Sequence, residues 1–185
     1  MTQATATRED LFATDFDSLA AGDACTGERA VIAGREVELF AALTGDHHPA
    51  HVDPAWARSG PFGRPIAHGL LVLSQAVGTL PLDPERVIAV RRFRDAVFKR
   101  PVAVGEAITV RCEIVSTRPL DDSTGLVECE WRIVGDDGRL RVRALVEVLW
   151  RRGAVAEHPA EAAIPPVDET APVVRDPSGQ VRVLL

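Results

Sequence analysis

Asp46 and His51 stand five residues apart in the stretch Thr44-Gly45-Asp46-His47-His48-Pro49-Ala50-His51-Val52-Asp53. Four of the five histidines of the chain fall between His47 and His68. A chain that uses histidine sparingly has gathered nearly all of it in one region, so chemistry is sought there first. An aspartate and a histidine on one side of a substrate supply an acid and a base, and burial or mutual hydrogen bonding can tune both toward neutral pH. The plainer account makes Asp46 a polar turn residue after one helix and His51 a loop residue before another. Asp53 has a good structural explanation as an N-cap, because Pro54 follows it. His48 either lines the site or points into a turn. His68 either caps the helix that opens at Gly69 or lines the site, and the capping role is preferred. Ser74, on the same helix, bonds a backbone carbonyl or faces the pocket. Asp46, His47, His48 and His51 have the residue types of a zinc site. Two adjacent histidines followed by proline seldom converge on one ion, and the i, i+4 spacing of helical zinc ligands is missing, so no metal is expected. A nucleophilic serine has no support without Gly-x-Ser-x-Gly.

The elements that must position these groups come in two halves. Residues 1–11 read as a flexible N-terminus, and Thr26 to Ala33 fits a strand. After Gly34, Val37, Phe40 and Ala41 repeat at helical spacing, and Gly45 is a plausible C-terminal stop. Asp53-Pro54 opens a short helix through Arg58, and Ser59 to Pro65 is loop. From Gly69 to about Leu80 the residues are apolar on almost every face, which predicts a helix buried on all sides. Beyond it the period changes to two. Ile108, Val110, Cys112 and Ile114, then Val127, Cys129, Trp131 and Ile133, then Leu140, Val142, Ala144, Val146 and Val148 mark three half-buried strands. Pro119 to Gly125 and Gly135 to Gly138 supply the reversals of an antiparallel meander. Val87 to Phe93 is a weaker strand before it. Residues 12–152 thus read as one α+β domain with the buried helix covering the apolar face of the sheet. Residues 153–185 read as a Pro/Ala/Glu-rich tail, a linker to Pro172 and then a small hairpin or a disordered end around Asp176-Pro177-Ser178-Gly179.

Size and charge narrow the class. With 185 residues, 46% hydrophobic and 26% charged, the chain can bury a core. A net charge of -6 argues against nucleic acid or an anionic membrane as the main partner. The first residues, MTQATATRED, lack the basic and apolar regions of a signal peptide, and no apolar run approaches a membrane span. Cys25, Cys112 and Cys129 are odd in number and lack metal spacing; Cys112 and Cys129 lie in the apolar phase of strands, as buried reduced thiols would. A cytoplasmic location is expected. Arg91, Arg92, Arg94, Lys99 and Arg100 form a basic run that either holds the phosphates of an acyl carrier or is a solvated strand and turn.

An antiparallel sheet wrapped around one long buried helix is the hotdog fold, and the residues resemble its MaoC-like, (R)-specific enoyl-CoA hydratase branch. Phe40 to Asp53 looks like that family's Gly-Asp-x-Asn-Pro-x-His-x-Asp motif. Phe62-Gly63-Arg64-Pro65-Ile66-Ala67-His68-Gly69 with Ser74 looks like its second block, and Phe98-Lys99-Arg100-Pro101-Val102 with Gly105-Glu106 resembles the block that starts the meander. The likeness runs from about Ala21 to Arg152, with one departure: the family's Asn is His48 here. It implies a hydratase or dehydratase acting on an enoyl or 3-hydroxyacyl thioester. In that scheme Asp46 activates the water that adds to the β-carbon, and His51 handles the α-carbon proton. The amide of Gly69, at the positive end of its helix, polarises the thioester carbonyl. His48, His68 and Ser74 would complete the substrate site. No cofactor is implied, since the coenzyme A or phosphopantetheine arm belongs to the substrate. Partners would be the acyl thioester, a second copy of the chain in a homodimer or higher homo-oligomer, and an acyl carrier protein as a further option. Two rivals remain: a hotdog thioesterase or specialised thioester isomerase or cyclase, and a non-catalytic acyl-binding subunit.

Overall fold

A computed structural model describes residues 10–154, 173–175 and 181–183. Strands β1 (Ala24–Thr26), β2 (Ala30–Val31), β3 (Val87–Phe98), β4 (Ala107–Pro119), β5 (Thr124–Gly135) and β6 (Leu140–Arg151) form one antiparallel sheet. Its order is β1-β4-β5-β6-β3, with β2 also on β4. The predicted meander is β4-β5-β6. The weaker strand runs five residues further than its hydrophobic pattern indicates, to Phe98, and crosses the sheet to pair with β6. Its arginines are therefore strand residues, and Arg91 reaches Glu147 on the neighbouring strand at 2.5 Å. The expected Thr26–Ala33 strand is split in two around Gly27. The backbone there approaches so closely that a Cβ would lie 2.8 Å from both the Thr79 carbonyl oxygen and Val110.

Helix α1 (Gly34–Thr44) ends as anticipated at Gly45, whose φ of 78° is the left-handed conformation glycine adopts without a steric cost. A short helix, α2 (Pro49–Val52), follows, and then α3 (Pro54–Ser59), whose N-cap Asp53 accepts from the amides of Ala55 and Trp56. Helix α4 (Gly69–Thr79) crosses the inner face of the sheet. Leu71, Val72, Leu73 and Ala76 are buried, but Leu70 is 63% exposed, so the helix is not covered on every side in one chain.

The inward residues of β4, β5 and β6 supply the core with the alternation read from the sequence: Val110, Cys112, Ile114, Trp131, Ile133, Val142, Val146 and Trp150 are all buried. The three cysteines are free and buried. Leu11 and Phe12, in a single 3-10 turn, are buried too, and Phe12 stacks on Trp150 at 5.6 Å. Folded structure therefore begins before residue 12, the expected boundary. The buried Arg141 guanidinium is matched by Glu106 at 2.6 Å and Asp137 at 3.0 Å, which offsets its desolvation. Residues 1–9 of the expected flexible terminus and residues 155–172 of the expected linker lie outside the described residues. Within the tail, β7 (Val173–Arg175) and β8 (Val181–Val183) pair antiparallel, as a terminal hairpin requires, and β8 runs beside α1. Among the described residues no helix is long and apolar enough to cross a membrane.

Candidate active site

The turn after α1 delivers Asp46, α2 delivers His51, and the segment pinned beside β4 delivers His68 and Gly69. Proline fixes the start of α2, and the amide of Ile66 donates to the Ala50 carbonyl at 3.1 Å. Ala67 donates to the Val102 carbonyl at 2.8 Å, which holds the start of α4 against the stretch that precedes β4.

One polar atom from each of Asp46, His51 and His68 lies within 4.8 Å of the other two. His51 Nδ1 is 2.8 Å from the Ile66 carbonyl oxygen. A carbonyl only accepts, so Nδ1 carries the proton and Nε2 of the neutral ring is left as the base. The Asp46 side chain is about half exposed; its Oδ1 accepts from the His48 amide at 3.3 Å, and its Oδ2 lies 4.0 Å from His68 Nε2. An acid and a base are thus close enough for one water or one substrate atom to lie between them. The same three residues have the types of a metal site. His68 Nε2, however, donates to the Asp46 backbone carbonyl at 2.9 Å, a bond an ion would have to displace.

His51 and Gly69 line a cavity of about 440 Å³ whose wall also includes Lys99 and Arg100. No side chain caps the first turn of α4, so its N–H groups are left for an acceptor in that cavity. A Cβ on Gly69 would lie 2.6 Å from the Phe98 ring, and this accounts for the glycine independently of any ligand.

The remaining residues singled out from the sequence are placed differently. His48 is the N-cap of α2: its Nδ1 accepts from the Ala50 amide at 3.2 Å, and its ring meets Trp56 edge-on at 5.5 Å. It does not line the cavity. A cap needs a short-range acceptor, which the side-chain oxygen of asparagine also provides, so the departure at this position keeps the same bond. Ser74 donates to Leu70 within α4 and lines a second, apolar cavity of about 390 Å³ under Phe40. Ser74 thus shows both of the alternatives read for it, a backbone bond and a cavity face, while His48 is engaged as a cap. His68 is buried, and its side chain makes no cap bond, unlike the capping role preferred for it; its Nε2 bonds the Asp46 carbonyl instead. Two contributors went unread: the Ile66 carbonyl, which no side chain signals, and Phe98, which lies over Gly69 from β3.

Comparison with known proteins identifies the family. Residues 21–130 match the family model described as a MaoC like domain. An (R)-specific enoyl-CoA hydratase from Aeromonas caviae is 39% identical over 83 residues; the match covers 45% of this chain and 62% of that protein, a little under two thirds of its length. A 3-hydroxyacyl-thioester dehydratase Z from Mycobacterium tuberculosis is 34% identical over 123 residues, covering 59% of this chain and 79% of the relative. Among solved structures, a conserved hypothetical protein from M. tuberculosis described as a double hotdog superposes with a TM-score of 0.67 at 21% identity, over 91% of this chain and 54% of its own, a likeness of fold. The sheet wrapped on α4 is a hotdog fold, and the chain belongs to the MaoC-like domain family.

Proposed function

We propose that this chain adds water across the double bond of an enoyl thioester and, in reverse, removes water from a 3-hydroxyacyl thioester. The observation that carries the reading is the Asp46–His51 pair, set beside a cavity that also receives the uncapped N-terminus of α4. In dehydration, His51 Nε2 takes the α-carbon proton, and the electron pair moves toward the thioester carbonyl, which the first-turn amides at Gly69 polarise. The β-hydroxyl then leaves as water with the proton of Asp46. Hydration reverses each step: the Asp46 carboxylate takes a proton from water as its oxygen bonds the β-carbon, and protonated His51 gives a proton to the α-carbon. Transfer between the two side chains, directly or through one water, resets the pair. No step needs a metal or redox cofactor.

Lys99 and Arg100 at the cavity wall support a phosphate-bearing arm, either coenzyme A or carrier-bound phosphopantetheine. The free edge of β3, with Ile88, Phe93, Val97 and Phe98 exposed, supports a homodimer in which a second copy covers that edge. Crotonyl-CoA is the test. Loss of enoyl absorbance without release of free thiol is expected; release of thiol, or no change in absorbance, would contradict the reading.

A further inference from the structure

We propose that His68 is the positioning residue of this site, holding the Asp46 turn and the His51 ring in register with the start of α4; the inference rests on the hydratase reading above. A 3% exposed imidazole is a costly group to bury, so its contacts matter. Its one hydrogen-bond partner among the described residues is the Asp46 carbonyl, to which Nε2 donates at 2.9 Å. Its ring lies against the His51 ring with centroids 3.9 Å apart and planes 30° from parallel. Phe40 of α1 packs on it at 5.1 Å. Because His68 immediately precedes Gly69, one side chain ties the turn bearing the acid, the ring of the base and the helix end that meets the carbonyl.

The His51 ring is thereby fixed in two ways. The Ile66 carbonyl holds one edge through Nδ1, and His68 covers a face. Together they leave Nε2 little freedom except toward the cavity. Near-attack geometry is sensitive to such freedom, since a displacement of about 1 Å can cost roughly 10²-fold in rate. His68 has to stay neutral for this. Burial lowers its pKa, the nearby His51 and His47 add to the effect, and Asp46 opposes it. A cation stacked on His51 would disfavour the proton that His51 must carry to the α-carbon during hydration. The bond to Asp46 fixes the proton on Nε2, leaving Nδ1 buried without a partner among the described residues.

Two variants separate the contacts. His68→Phe keeps a flat ring against His51 and loses the donor; His68→Gln keeps a donor and loses the ring. Each is made in the wild-type and His51→Ala backgrounds, with melting temperature recorded and kcat and KM measured on crotonyl-CoA. We expect each single variant to lower kcat roughly 10- to 100-fold with KM within about twofold. In the His51→Ala background the same substitutions should cost less than about threefold, because a group that acts through His51 has nothing left to position. Equal losses in both backgrounds, or wild-type kcat in both single variants, would overturn the proposal. If both variants fail to fold, nitrogen-15 NMR of the wild-type histidines decides. His68 should appear as the Nε2–H tautomer, still neutral when the exposed histidines are protonated; a protonated His68 or the other tautomer would overturn it. Full turnover by His51→Ala itself would instead refute the hydratase mechanism, a result separable from any behaviour of His68.

Discussion

At the residue scale the histidine cluster resolves into distinct jobs that residue type alone does not separate. Asp46 and His51 were legible as a pair because their spacing and the glycine and proline around them are local features. The division of labour between His48 and His68 was not legible, since it depends on which ring meets which neighbour across the fold. His48 bonds two residues ahead in its own turn, whereas His68 reaches back 22 residues to Asp46. Replacing His48 with Asn should therefore keep turnover within about threefold and leave the melting temperature nearly unchanged, because the two side chains are comparable acceptors at a cap. A large loss of kcat would show His48 to be a reacting group. His68 carries a pH signature. Its pKa in the folded chain lies below the ordinary 6.5, so between those two values the unfolded chain binds more protons and stability falls as pH drops. Melting curves from about pH 7.5 to about pH 5 should show a steeper acid decline for the wild type than for His68→Phe. Equal slopes would mean that His68 is as readily protonated in the folded chain as in the unfolded one.

At the element scale, the period-two alternation located the three central strands closely, because each buries one face. Strand β3 was underestimated for the same reason: its residues from Arg91 onward are largely exposed, and a register shift between Arg94 and Val97 breaks the alternation between the inward Phe93 and Phe98. Its pairing with β6 brings Phe98 next to Gly69, a contact that no local pattern announces. Strand β1–β2 was misread as continuous because the interruption at Gly27 comes from the nearness of Thr79 and Val110, residues distant in the chain. The caps at Gly45 and Asp53, by contrast, follow from their immediate neighbours and were readable. Asp53→Ala removes the acceptor for the amides of Ala55 and Trp56. It should destabilise the chain by about 1 kcal/mol, lowering the melting temperature by roughly 2–4 °C, with kcat nearly unchanged. A kcat reduced a hundredfold would place Asp53 in the chemistry instead.

At the scale of the whole molecule, the described residues leave part of their apolar surface uncovered. The α4 helix keeps Leu70 exposed, β3 has a free edge, and the apolar cavity under Phe40 opens between them. The all-round apolarity of α4 was read as burial on all sides, and Leu70 at 63% exposure departs from it in the single chain. Light scattering at micromolar concentration should give a mass of two chains or a multiple of two. Asp or Lys at Phe93 and Val97 should shift that mass toward one chain, since like charges brought together at a paired edge repel. A wild-type monomer with full turnover would contradict the assembly.

The account turns on Asp46 and His51 acting as the acid–base pair on an enoyl thioester. Turnover of crotonyl-CoA by the wild type, Asp46→Asn and His51→Ala, each shown to be folded by circular dichroism, tests it most directly. General acid–base groups typically contribute about 10²–10⁴ in rate, so each substitution should lower kcat at least a hundredfold. Near-normal turnover in either folded variant would contradict the account.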